Sequence, residues 1–153
     1  MPIQIMHGDM FKSQCQTITN TVNCLGASGA GIALIFQRAY PHYNIDYKRH
    51  CRAGEIRTGQ VLLYKPPPDV AATHPHWILN FPTKDDFRKP SRLSYIRTGL
   101  EHLLATYKAW GIDSLAIPAL GCGKGGLSWA VVEPIMIDYL SHMDIPVEIY
   151  PPH

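Results

Sequence analysis

No stretch of this 153-residue chain approaches the length of an apolar membrane span, and no basic-then-apolar leader opens it. Met1-Pro2-Ile3-Gln4-Ile5 runs straight into a strand-like pattern, which sets the expectation of a cytoplasmic protein. Charge of one sign is scarce as well. At a net charge of +2, bulk electrostatics give no reason for a nucleic-acid partner. The four cysteines (Cys15, Cys24, Cys51 and Cys122) form no C-x-x-C pair, so they are expected as reduced thiols. The eight histidines are scattered, and no His, Cys or acidic residues show zinc-site spacing, so neither a metal nor another cofactor is expected. There is no internal repeat.

What remains is a chain with 46% apolar and 17% charged residues, long enough for one domain over residues 1–153 with a substantial core. Short runs rich in Ile, Val and Leu predict strands at Pro2–His7, Thr17–Asn23, Gln60–Tyr64, His76–Phe81, Ser114–Pro118 and Val147–Tyr150. Several are continuously apolar, the pattern of strands buried on both faces. Helical patterns lie between them, at Ala30–Tyr40, Tyr43–Ala53, Ser91–Trp110 and Trp129–His142. Ser91 and Ser128 are candidate N-caps and Gly111 a C-terminal stop. Pro66–Pro75 reads as a surface connection. Strands alternating with helices predict an α/β fold, a three-layer αβα sandwich around a mixed, mostly parallel sheet.

In such sheets ligands bind beyond the carboxyl ends of the strands. Two glycine-dense loops begin there, Gly26–Ala33 after Val22-Asn23-Cys24 and Gly121–Trp129 after Ala116-Ile117-Pro118. Glycine lets backbone N–H groups approach a ligand oxygen, and N–H groups at a helix entry form an anion-binding concavity. Two such loops on one rim predict a diphosphate gripped from both sides. Gly121-x-Gly123-x-x-Gly126 formally matches the dinucleotide fingerprint. It lies in the last βαβ segment rather than the first, which argues against a dehydrogenase.

Other residues reach the same rim. Asp9, after Gly8, serves equally as a cap for a turn starting at Met10 or as an acceptor for an exocyclic amine. Asn23 either satisfies local backbone or hydrogen-bonds ribose hydroxyls. Cys122 reads as a small residue in a tight turn rather than a nucleophile. Lys84 follows a buried strand and a Phe-Pro-Thr turn that would hold it at the rim. Desolvation there, with a neighbouring cation such as Lys124, favours the neutral amine, which attacks carbonyl-like carbons such as C1″ of a ring-opened ribose. Just beyond it Arg88, Lys89 and Arg92 either form a solvated basic edge or follow a phosphate backbone, with Phe87 available to stack on a base.

Taken in order, Gly8-Asp9-Met10, Asn20-Thr21-Val22-Asn23-Cys24, Gly29-Ala30-Gly31-Ile32-Ala33, Asn80-Phe81-Pro82-Thr83-Lys84 and Pro118-Ala119-Leu120-Gly121-Cys122-Gly123 resemble a macro domain. The Asn-Phe-Pro-Thr-Lys segment, Arg88-Lys89-Pro90-Ser91 and the Gly-Gly-Leu-Ser-Trp run are most similar to the DarG antitoxin branch, DNA ADP-ribosyl glycohydrolases that reverse the DarT toxin. The resemblance covers roughly residues 2 to 152. It implies a six-stranded macro fold that binds ADP-ribose. Gly8, Asp9 and Met10 would lie at the adenine, and Gly29, Ala30, Gly31, Ile32 and Ala33 at the diphosphate and distal ribose. Asn23 would sit near that ribose, and Thr83 would belong to the ADP-ribose site. Gly121, Cys122, Gly123, Lys124, Gly125, Gly126 and Leu127 would close over the phosphates. Lys84 falls on the catalytic lysine of the branch. The implied reaction removes ADP-ribose from a thymine in single-stranded DNA, with Arg88, Lys89 and Arg92 beside the flanking strand. A DarT-like toxin would be the partner, and the protein a monomer.

Two departures stand out. A related branch that acts on glutamate-linked ADP-ribose pairs its lysine with an aspartate after the second glycine loop, where this chain reads Lys124-Gly125-Gly126-Leu127. Asp85 and Asp86 are the nearest carboxylates in sequence to Lys84. Full DarG proteins also carry a further domain, for which this chain has no room, so a trimmed domain or a stand-alone protein is expected. The rival expectations are a non-catalytic ADP-ribose reader and a hydrolase acting on ADP-ribosylated protein or on a phosphorylated ADP-ribose metabolite.

Overall fold

A computed structural model describes residues 3–152. Six strands form one sheet: β1 (Ile3–Ile5), β2 (Thr17–Asn23), β3 (Leu62–Tyr64), β4 (Trp77–Lys84), β5 (Leu115–Pro118) and β6 (Val147–Tyr150). Their order across the sheet is β1-β6-β5-β2-β4-β3, parallel throughout except for the antiparallel β3–β4 pair. The helices are α1 (Gly31–Ala39), α2 (Pro41–Arg52), α3 (Pro68–Ala71), α4 (Leu93–Trp110) and α5 (Trp129–Leu140). Among the described residues no helix is long and apolar enough to cross a membrane.

Successive strand residues point to opposite faces of a sheet, and the two faces build two cores. Leu79, Phe81, Leu115, Ile117, Val147 and Ile149 pack with Ile96, Leu100 and Leu103 of α4 and with Val132, Met136 and Leu140 of α5. Ile18, Val22, Ile78, Ala116 and Tyr150 pack on the other side with Phe36, Tyr43 and Tyr47 of α1 and α2. That is the three-layer αβα sandwich, with a mixed and mostly parallel sheet. On the first face α4 comes unusually close. A Cβ at Gly99 would stand 2.5 Å from Cζ of the fully buried Phe81, so only glycine lets the helix lie down on β4.

The structure revises several boundaries. Pro2 lies outside the described residues, and β1 occupies Ile3–Ile5 of the expected Pro2–His7 strand. Helix α2 starts at Pro41 rather than Tyr43, because proline's fixed φ suits the first helical turn and its missing N–H is an orphan there anyway. The expected surface connection Pro66–Pro75 contains the single-turn α3. Strand β4 does not end at Phe81. It runs on through Pro82 and Thr83, so the expected turn is strand and Lys84 is its last residue. Pro82 has no N–H to give the ladder, and here the β2–β4 register shifts, pairing Val22 with Pro82 but Asn23 with Lys84. Ser91 does not cap α4. The cap position is Arg92 with no side-chain bond, and Ser91 turns inward. Ser128 occupies the cap position of α5 without a side-chain bond.

Candidate functional site

The five mutually parallel strands all point their carboxyl ends at one edge of the sheet, and the segments leaving them line a single cleft of about 1260 Å³. Gly8, Asp9, Met10 and Phe11 follow β1, while Asn23 and Gly29–Ala33 follow β2. Thr83, Lys84 and Phe87 come from the end of β4, Pro118, Ala119 and Gly121–Gly125 from β5, and Tyr150-Pro151-Pro152 from β6. Sequence reading missed the last three and Ile35. They carry no motif, and only the strand order brings them to the rim.

The first glycine loop delivers the N-terminus of α1. Ala30 is its cap and offers no side-chain acceptor, so the first-turn N–H groups of Gly31, Ile32 and Ala33 are free to bind an anion at the positive end of the helix dipole. Asn23 holds the loop from inside. Its Oδ1 accepts from the N–H of Leu25 (3.0 Å) and of Ala27 (3.2 Å), and its Nδ2 donates to the Ala27 carbonyl (2.8 Å). Of the two roles open to Asn23, the side chain occupies the backbone-satisfying one, although the residue still lines the cleft. Helix α2 braces the loop from behind. The Tyr47 hydroxyl donates to the Asn23 carbonyl at 2.6 Å, and Ser28 Oγ donates to Asn44 Oδ1 at 3.0 Å. Burial pushes the Tyr47 phenol well above its ordinary range, which keeps it a donor.

The second glycine loop folds on itself. A Cβ at Gly125 would stand 2.4 Å from the Gly121 carbonyl oxygen, a backbone atom that cannot step aside. The N–H groups of Gly126 and Leu127 turn back to the carbonyls of Gly123 (3.2 Å) and Gly121 (3.0 Å). Of the expected loop residues, Gly126 and Leu127 close the loop and are not among those lining the cleft, and Leu127 packs against the α4–α5 core. The N–H groups of Gly123, Lys124 and Gly125 have no protein acceptor among the described residues. Cys122 lines the cleft, but burial pushes its thiol up, away from a reactive thiolate.

Lys84 lines the cleft at the end of β4, half-buried, opposite Asn23 in the sheet. Its ammonium donates to the Phe87 carbonyl at 3.4 Å. The Cys24 N–H donates to the Asp85 carbonyl at 3.3 Å, lashing the first loop to the chain just past Lys84. On the other side the Ser91 N–H donates to the Gly125 carbonyl at 3.0 Å. The segment bearing Lys84 is therefore tied to both glycine loops.

Asp9 fills one of its two expected roles. Its Oδ1 accepts from the Phe11 N–H at 2.9 Å and caps the 3-10 turn Met10–Lys12, while Oδ2 stays open at the cleft wall. It is the one carboxylate lining the cleft among the described residues. Asp86 does not reach the cleft. Arg88 grips it with Nε at 3.0 Å and Nη2 at 2.6 Å, and these bonds lower its carboxyl to about 2. Arg88, Lys89 and Arg92 lie exposed on the adjoining surface and line no part of the cleft. Among the described residues no group of three or more His, Cys, Asp or Glu side chains could hold a metal ion.

The Macro domain family model matches residues 19–136. A DNA ADP-ribosyl transferase–DNA ADP-ribosyl glycohydrolase fusion protein from Thermosipho africanus is 38% identical over 98% of this chain and 42% of its own length. A DNA ADP-ribosyl glycohydrolase from Mycobacterium tuberculosis is 39% identical over 95% of this chain and 41% of its own. The chain thus spans about two-fifths of the length of these curated relatives. Among solved structures, Thermosipho africanus DarTG in complex with ADP-ribose superposes with a TM-score of 0.93 at 39% identity, over 98% of this chain and 41% of that one. The macrodomain of Mycobacterium tuberculosis DarG gives 0.90 at 38% identity, over 99% of this chain and 98% of that one. Matched over most of its length by the family model, and carrying its cleft at the carboxyl edge of a mixed αβα sheet, the chain belongs to the macro domain family.

Proposed function

We propose that this chain hydrolyses the bond between ADP-ribose and a thymine base in single-stranded DNA. The observation that carries the reading is the position of Lys84, the last residue of β4, lining the same cleft as two loops that each offer N–H groups without a protein acceptor among the described residues. In this reading the diphosphate lies between Gly31–Ala33 and Gly123–Gly125. The adenosine runs toward Asp9 and Tyr150-Pro151-Pro152. The distal ribose rests beside Asn23 with its C1″ against Lys84, and the base projects outward. The loops hold the substrate so that binding energy orients the reacting carbon, while Lys84 assists the opening or strain of the ribose at C1″. Water completes the reaction, its hydroxyl ending on C1″ and a proton on the departing base nitrogen. With Asp86 held by Arg88, and Asp9 the one carboxylate lining the cleft among the described residues, the lysine–aspartate route is set aside.

The relatives named for DNA ADP-ribosyl glycohydrolase activity support the substrate. A DarT-like DNA ADP-ribosyl transferase would be the counterpart, and a cytoplasmic monomer its working form. The test offers equal amounts of ADP-ribosylated single-stranded DNA and ADP-ribosylated protein and measures released ADP-ribose. Release from DNA at least tenfold faster is expected. Faster release from protein would overturn the substrate, and release from neither would leave an ADP-ribose reader.

A further inference from the structure

Large apolar side chains with high exposure are few, and of these only Ile35 and Phe87 line the cleft among the described residues. Phe87 is 49% exposed, whereas Phe36 and Phe81 are fully buried. A single exposed phenylalanine on a loop is ordinary. The setting of this one is not. The Arg88 guanidinium lies over its ring, 5.6 Å from the centroid. Arg88 is in turn fixed by Asp86, through both carboxylate oxygens and through its own N–H to Oδ1 at 2.9 Å. The Lys89 N–H closes the turn on the Asp86 carbonyl at 3.0 Å. The Phe87 carbonyl accepts from Lys84 Nζ, so ring and ammonium belong to one turn at the mouth of the cleft.

We propose that Asp86, Arg88 and Phe87 form a preassembled platform on which the nucleobase joined to the ADP-ribose stacks. This rests on the reading of the cleft above. Of the aromatic rings lining the cleft among the described residues, Phe87 is the one on the turn that carries Lys84, and stacking accepts any base because every base has a π-face. Arg88 therefore acts as a positioning residue that braces the ring. We assign it to the ring rather than to a phosphate because Asp86 already engages its Nε–Nη2 edge. Phe87 is the specificity determinant for base-linked over free ADP-ribose.

The probes are a single-stranded oligonucleotide carrying one ADP-ribosylated thymidine, and free ADP-ribose. Both are titrated into the Lys84→Ala protein, so that neither is turned over. The oligonucleotide is expected to bind roughly tenfold more tightly than free ADP-ribose, within the reach of one base–aromatic stack. Phe87→Ala should erase that gain and leave free ADP-ribose unchanged, while Phe87→Trp should keep it. An unchanged ratio in Phe87→Ala overturns the platform, as does an equal loss for both ligands. Arg88→Ala combined with Phe87→Ala should be no worse than Phe87→Ala alone. Additive losses, with the salt slope reduced by about one, would make Arg88 a phosphate contact instead. Failure of the hydrolytic reading appears separately, as wild-type protein that binds the oligonucleotide but releases nothing.

Discussion

Lys84 matters here less as a lone cation than as a residue fixed at a junction. Its strand neighbour is Asn23, and the chain that follows it is bonded at Asp85 to the segment entering the first glycine loop and at Ser91 to the second loop. Holding the loops depends on groups that never reach the ligand. The Tyr47 hydroxyl is the clearest of them, since it is buried and donates to the carbonyl of the residue that opens the first loop. Tyr47→Phe keeps the packing and strands that carbonyl. We expect a stability loss of about 1–2 kcal/mol, since an unmade buried hydrogen bond costs the desolvation of the group left behind. Urea unfolding reads this loss, and calorimetric titration should show several-fold weaker ADP-ribose binding. A variant as stable as the parent, with unchanged affinity, would show that α2 does not hold the loop.

At the scale of elements, the site depends on how closely α4 lies on β4. Phe81, which fills the space at Gly99, sits three residues before Lys84 on the same strand. Gly99→Ala places a methyl where the ring now stands. Overpacking of this kind costs about 1–3 kcal/mol. Thermal unfolding should record that loss, and adding Phe81→Leu should restore part of it. If Gly99→Ala proved neutral, α4 would have slack that this geometry denies. The same elements show what could be read without coordinates. Strands β2 and β6 appear at their full lengths, because each is a short run rich in β-branched residues. Both glycine loops and Lys84 declare themselves through residue types that are poor choices elsewhere. Pairings between distant or folded-back segments are not legible. The Tyr47 hydroxyl on Asn23, the Ser91 N–H on Gly125 and the guanidinium of Arg88 on Asp86 depend on chain geometry that composition does not encode. Hence Ser91 reads as a cap although it turns inward, and Arg88 reads as a solvated edge or a phosphate contact although it pairs with Asp86.

For the whole molecule, stability carries a titration signature that comes mainly from the core beneath α1 and α2. Burial pushes up the thiols of Cys15, Cys24, Cys51 and Cys122. It does the same to the phenols of Tyr40, Tyr43, Tyr47 and Tyr64, and Tyr150 is pushed up to about 12. These groups are raised in the folded state, so above their unfolded values the native protein binds more protons than the unfolded chain. Stability is then fully present below the unfolded thiol range of about 8.5 and is lost as pH rises through the tyrosine range near 10 and beyond. The urea midpoint should be flat from pH 7 to 8 and fall steadily from pH 9 to 11. A midpoint that rose with pH across that window would contradict the packing of the α1–α2 face, where all but Cys122 of these groups lie.

The cleft, its two loops and the strand order all converge on the amine of Lys84, and that convergence is open to direct measurement. Wild-type protein and Lys84→Ala are mixed in excess with single-stranded DNA bearing one ADP-ribosylated thymidine, and free ADP-ribose is followed in a single turnover while its affinity is measured in parallel. The expected result is rapid release by the wild type, with release by Lys84→Ala at least a hundredfold slower although ADP-ribose still binds within a few-fold. A Lys84→Ala protein that released ADP-ribose at the wild-type rate would contradict the account.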